Sequence, residues 1–194
     1  MSSRRSQKTV FSLILTLLII GLGYWQSSHP NSPLVQKLSQ TQPGLYAVTK
    51  AVDGDTIEVD MNGKTEPIRF IGVDTPETHD PRKAVQCFGV VAAAFTKNTL
   101  AAQGNHVRLE ADPLNTNRDR YNRLLRYVYL PDNTLLNAEI IKQGYGFAYL
   151  GFPFTRSDEF HAYELAARAQ NKGLWSSCSP TQNQYGGFTS NNAN

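Results

Sequence analysis

Asp53 and Asp55 flank Gly54 in the run Val52-Asp53-Gly54-Asp55-Thr56, and Asp74 closes a second run that continues Thr75-Pro76-Glu77. Two carboxylates with nearby backbone carbonyls make a hard oxygen site suited to Ca2+. Glu77 stands just past Asp74, behind a proline that fixes the chain, and a carboxylate near a bound cation can act as a base toward water. Arg69 precedes Asp74 in the same run, and a third stretch, Asp119 to Tyr127, carries Arg120, Arg123 and Arg126. Guanidinium groups clamp phosphate oxygens through two parallel hydrogen bonds. Two arginines, a carboxylate and a hard cation form a set able to transfer a phosphoryl group. Each piece alone has a plainer reading. Asp-Gly-Asp is a common turn, Asp-Thr-Pro-Glu an ordinary helix start, and a strand arginine a solvated edge.

Convergence depends on the elements that carry these groups. Residues 45–52 and 56–60 are β-rich and flank the Asp53-Gly54-Asp55 turn, and Asn62-Gly63 leads into a third strand at 65–73. A start of one strand and an end of its neighbour can meet at one rim of such a meander, which brings Asp55 toward Asp74. A helix is expected over about 86–103, with Phe88, Val91 and Phe95 on one face. Strands follow at 107–111 and 124–130, a short helix at about 135–143, and a last helix at about 158–171 with Ala162, Leu165, Ala166 and Ala169 at helical spacing. This pattern is mainly β with helices, an α+β class. It predicts a five-stranded OB-fold Greek-key barrel with an inserted helix and two C-terminal helices, spanning 44–178.

The order of the three motifs, the Gln143-Gly144 helix end and the closing Gly173-Leu174-Trp175 resemble the thermonuclease (staphylococcal nuclease-like) family over about residues 45–175. The resemblance implies a calcium-dependent nuclease that hydrolyses DNA and RNA and leaves a 3′-phosphate. It implies Asp55, Asp74 and the Thr75 carbonyl as Ca2+ ligands, with Asp53 supporting the metal loop. It implies Glu77 as the group that orients or deprotonates the attacking water, and Arg69 and Arg123 as the phosphate clamp. Tyr121 and Tyr149 would line the nucleotide pocket. The chain departs from the family where Asn122 stands at a position often held by glycine, in 78–84, and in carrying two cysteines. The alternative is a catalytically silent nuclease-like module that binds nucleic acid or protein. Such copies lose members of the set Asp55, Arg69, Asp74, Glu77 and Arg123, and this chain keeps all five.

Global charge carries no argument for a polyanionic partner. The formal net charge is +3, and Arg4, Arg5 and Lys8 all precede the first apolar run. That run makes residues 1–25 a membrane anchor, or a cleaved signal, with the domain exported. Residues 26–43 read as a flexible stalk and 179–194 as a disordered polar tail. In an exported protein two thiols usually pair, so Cys87 and Cys178 are expected to form a disulfide; two free buried cysteines are the other reading. The expected partners are a DNA or RNA substrate and, through the N-terminal segment, the membrane. The protein is expected to be a monomer.

Overall fold

The computed structural model describes residues 44–78, 84–183 and 187–193. Residues 1–25 and 26–43, read as anchor and stalk, lie outside the described residues. Among the described residues no helix is long and apolar enough to cross a membrane.

Strands β1 (Leu45–Ala51), β2 (Thr56–Met61) and β3 (Lys64–Phe70) form the expected meander. The β2–β3 turn uses Asn62 and Gly63 at φ 58° and 85°, the left-handed pair that a tight hairpin needs, and Asp60 accepts the Gly63 N–H at 2.6 Å. The short β4 (Val73–Asp74) follows, then helix α1 (Gly89–Ala102), β5 (His106–Glu110) and β6 (Leu124–Tyr129). The strands close into a barrel in the order β1-β2-β3-β6-β5. β3 and β6 run parallel, which requires a crossover between them, and α1 with β5 supplies it. This is the five-stranded OB-fold barrel expected from the sequence.

Alternating Ile57, Val59, Ile68, Phe70, Val107, Leu109 and Val128 fill the interior. Helix α2 (Leu136–Lys142) covers one end, pinned by the buried Asn137. Its amide donates to the Ile71 carbonyl at 2.9 Å and accepts the Val128 N–H at 2.8 Å. After β7 (Phe147–Ala148) come α3 (Ser157–Ala169) and α4 (Leu174–Ser177). Asp112 ties β6 to the chain before α3, accepting from the Tyr127 hydroxyl at 2.7 Å and the Thr155 N–H at 2.8 Å.

Two helix faces differ from expectation. α1 starts at Gly89 because Phe88 takes φ 69°, outside helical space, and it buries Gly89, Ala92, Thr96 and Leu100 rather than Val91. Thr96 turns inward because its hydroxyl donates to the Gly54 carbonyl at 2.7 Å. α3 buries Phe160, Glu164 and Ala167, leaving Leu165 exposed. Glu164 faces inward because it accepts the Ala148 N–H at 2.9 Å, a buried backbone donor that needs a partner.

The C-terminal segment 179–194 is expected from its sequence to be a disordered polar tail. Its described residues instead form a two-stranded pair, β8 (Thr181–Gln182) and β9 (Phe188–Thr189), and continue alongside residues 85–87, just before α1. A polar segment with no hydrophobic period becomes ordered when its backbone groups find partners on another part of the chain. Cys87 and Cys178 are joined as a disulfide with Cα atoms 6.0 Å apart.

Candidate active site

The rim that holds the candidate groups is set by strand register. Thr56 pairs with Arg69 across β2 and β3, so Asp55 lies beside the end of β3, and its carbonyl accepts the Phe70 N–H at 2.9 Å. The chain then turns at Gly72, at φ 71°, where a Cβ would stand 2.7 Å from Phe154 and 2.8 Å from Phe160. The turn sends β4 back past Arg69, and β4 is held by antiparallel pairing of Asp74 with Phe147.

Arg69 bridges the two aspartates. One guanidinium nitrogen lies 3.0 Å from Asp55 Oδ1 and donates to the Val73 carbonyl at 2.6 Å; the other lies 2.9 Å from Asp74 Oδ1. The Thr75 N–H and hydroxyl donate to Asp55 Oδ2 at 2.7 and 2.9 Å. Asp53 supports the turn by accepting the Asp55 N–H at 3.0 Å. Burial alone would lower the Arg69 pKa, but Asp55, Asp74 and Asp53 outweigh it and hold it above its ordinary value. Burial, and then the Asp55 charge, push Asp53 up to about 7.

Arg123 reaches the same rim from β6. Leu124 pairs with Ile68 in the parallel ladder, which places Arg123, just before β6, level with Pro67 in β3. Its Nη1 donates to the Thr56 hydroxyl at 3.3 Å, and that hydroxyl donates to Asp55 Oδ1 at 3.1 Å. Asp119 fixes the fork: its Oδ2 takes Nε at 2.8 Å and Nη2 at 2.7 Å, while Oδ1 takes the N–H groups of Tyr121 and Arg123. Burial would raise the Asp119 pKa, but the Arg123 N–H and guanidinium hold it below its ordinary value. Asn122 occupies the turn at φ 65°, a conformation asparagine tolerates.

Glu77 lies on the irregular segment after Pro76. Its backbone is bracketed by Gln86, whose side-chain oxygen accepts the Glu77 N–H at 2.7 Å and whose own N–H donates to the Glu77 carbonyl at 2.9 Å. Asp53, Asp55, Arg69, Asp74, Thr75, Glu77, Tyr121 and Arg123 line one cleft of about 440 Å3. Tyr149 does not line it. It lies in an adjoining cavity of about 930 Å3, which meets the first at Asp74 and Arg120.

The wider basic cluster divides. Arg126 is fully buried and bonded to Asn117 and the Leu125 carbonyl, and Arg118 pairs with Glu66 at 2.8 Å. Arg120 and Arg123 face the cleft, Arg120 with its guanidinium 4.8 Å from the Tyr121 ring centre. Asp119, Thr56 and Gln86 were not singled out by sequence as site residues. The spacing of Asp119 four residues before Arg123 was the available signal.

Among the described residues no three His, Cys, Asp or Glu side chains converge as a complete metal set. Asp55 and Asp74 with a backbone carbonyl are nonetheless an all-oxygen donor set, and it fits a hard cation that fills its remaining positions with water.

The family model for staphylococcal nuclease homologues matches residues 67–177, a span that contains Arg69, Asp74, Thr75, Glu77 and Arg123. The chain is similar to a thermonuclease of Staphylococcus intermedius, 39% identical over 132 residues, covering 68% of this chain and 75% of that one. It is 34% identical over 165 residues to a thermonuclease of Staphylococcus hyicus, covering 84% and 94%. It is 37% identical over 142 residues to the endonuclease YncB of Bacillus subtilis, covering 71% and 65%. The extent of these matches places the chain in the staphylococcal nuclease homologue family.

Proposed function

We propose that the chain is a calcium-dependent endonuclease that hydrolyses phosphodiester bonds of DNA, RNA or both and leaves a 3′-phosphate. The relatives are named as nucleases, and the chain is a phosphodiester hydrolase of the same kind. The observation that carries the residue assignment is the single cleft shared by Arg69, Arg123, Glu77 and the two aspartates.

Asp55, Asp74 and the Thr75 carbonyl would hold Ca2+, which when bound supplies Lewis-acid polarisation of a phosphate oxygen. Glu77 takes a proton from the attacking water as its oxygen bonds to phosphorus. The P–O5′ bond then breaks and the 5′-oxygen takes a proton from solvent, so the phosphate stays on the 3′ side. Arg123, with its fork oriented by Asp119, donates to the phosphate oxygens as negative charge builds. Arg69, beside the two aspartates, would hold the phosphate together with Arg123. Asp53 orients the Asp55 loop. Tyr121, in the cleft, and Tyr149, in the adjoining cavity, would line the nucleotide pocket, one near a phosphate and one against a base.

Two carboxylates bind Ca2+ weakly compared with a cage of many, so activity is expected to need Ca2+ at levels typical of extracellular fluid. Mg2+ holds its water and demands stricter geometry, so turnover in Mg2+ alone should be slight. Hydrolysis rates measured in each ion after chelation decide this. Full activity in Mg2+ with Ca2+ removed contradicts it.

Residues 1–25 are proposed to carry the domain out of the cytoplasm, as a retained anchor or a cleaved signal, with Arg4, Arg5 and Lys8 on the cytoplasmic side. Protease added to intact cells should remove a tethered domain, or the domain should be recovered in the medium. A domain that is cell-bound and protected from protease contradicts export.

A further inference from the structure

Gln86, which brackets the Glu77 backbone, is itself held by the chain beyond Cys178. The far end of its side-chain amide donates to the Ser190 carbonyl at 3.1 Å and to the Thr189 hydroxyl at 3.3 Å. The neighbouring residues add to the grip. The Cys87 N–H donates to the Asn191 carbonyl at 2.7 Å, the Ser190 hydroxyl to the Cys87 carbonyl at 2.9 Å, and the Ala193 N–H to the Val85 carbonyl at 2.8 Å. Ser190 is buried by these contacts. The same segment is anchored at its other end by Phe188, whose ring centre lies 5.1 Å from that of Trp175 and 6.3 Å from that of Phe147. Phe147 is the residue whose backbone pairs with Asp74. The Cys87–Cys178 disulfide ties the root of the segment to the place where its end docks.

We propose that residues 187–193 form a strap that acts through Gln86 to set the position of Glu77, and that Gln86 is a positioning residue for the hydrolysis. The inference rests on the reading of Glu77 as the group that activates water. Glu77 lies on no helix or strand, so its carboxylate has no rigid element beneath it. A reacting group must be held within a fraction of an ångström of its productive place, and a 1 Å error can cost on the order of 10²-fold in rate. A glutamine suits the task because one amide accepts a hydrogen bond and donates two at once. Here it accepts from Glu77 and donates into the strap.

The test compares Gln86→Met, Gln86→Glu and Ser190→Asp with wild type in the full chain, disulfide intact. kcat and KM are read on a single-stranded DNA oligonucleotide in Ca2+, well below each variant's melting temperature, with Glu77→Gln alongside. Gln86→Met removes both halves of the link, and Ser190→Asp forces a charge against the Cys87 carbonyl. Both should lower kcat about tenfold or more while KM stays within about twofold. Gln86→Glu keeps an acceptor for the Glu77 N–H but loses both donors to the strap and sets a carboxylate against the Ser190 carbonyl, so it too should lower kcat about tenfold or more. If Gln86→Met and Ser190→Asp lower only the melting temperature, or change only KM, the strap has no positioning role. Wild-type kcat in Gln86→Glu, which keeps the acceptor for Glu77 but not the donors to the strap, likewise overturns it. Wild-type turnover in Glu77→Gln would instead overturn the reading of Glu77 itself.

Discussion

Glu77→Gln lowers kcat by about 10²-fold or more at saturating polynucleotide, and Arg69→Lys and Arg123→Lys each do the same. Gln keeps the shape of the side chain and removes its capacity to take a proton. The two lysine variants keep the charge and remove the fork. At Arg123 the fork matters because Nε and Nη2 are already spent on Asp119, which leaves Nη1 directed at the rim where Thr56 and Asp55 lie. A lysine ammonium cannot pair with Asp119 and present a second donor to phosphate in the same geometry. At Arg69 the two nitrogens span Asp55 and Asp74 at 3.0 and 2.9 Å, and one ammonium cannot hold both carboxylates. Steady-state kinetics of the purified variants, with melting curves to show that each is folded, give the comparison. Near-normal turnover in any one of them refutes that residue's role.

Removing the disulfide with Cys87→Ser and Cys178→Ser together is expected to cost about 4–5 kcal/mol of stability. The bond closes a loop of 91 residues, and in the chain-entropy model a loop of that length greatly restricts the unfolded chain. The loss is a large share of the roughly 5–15 kcal/mol that holds a domain folded. Denaturant unfolding of the double variant and the oxidised wild type measures the difference. A loss under about 1 kcal/mol contradicts the account. So does mass spectrometry of unreduced protein from its native compartment in which both cysteines take an alkylating label.

The barrel was legible because its signals are local. Asn62-Gly63 names a hairpin, and the alternation in 56–60 and 107–111 names half-buried strands. The helix faces were less legible. Thr96 and Glu164 face inward to meet the buried carbonyl of Gly54 and N–H of Ala148, partners far away in the chain. β4 and β7, two residues each, leave no period to read, yet their pairing brings Asp74 back to Arg69. Asp55, Asp74, Glu77 and Arg69 stand out by their chemistry and take their individual roles from the family resemblance, whereas Asp119, Thr56 and Gln86 have ordinary turn or strand readings until their partners are known. The strap was missed for the same reason. Nothing in Ser-Asn-Asn-Ala announces that its backbone will pair with residues 85–87.

The most direct test of the hydrolysis is the chemistry of its products. A single-stranded oligonucleotide of defined sequence is incubated with the full chain in Ca2+, and the fragments are weighed by mass spectrometry. The account predicts fragments ending in 3′-phosphate and 5′-hydroxyl, formed by the wild type and suppressed both by a chelator and by Glu77→Gln. Intact oligonucleotide, fragments ending in 3′-hydroxyl, or the same fragments at the same rate from Glu77→Gln would contradict it.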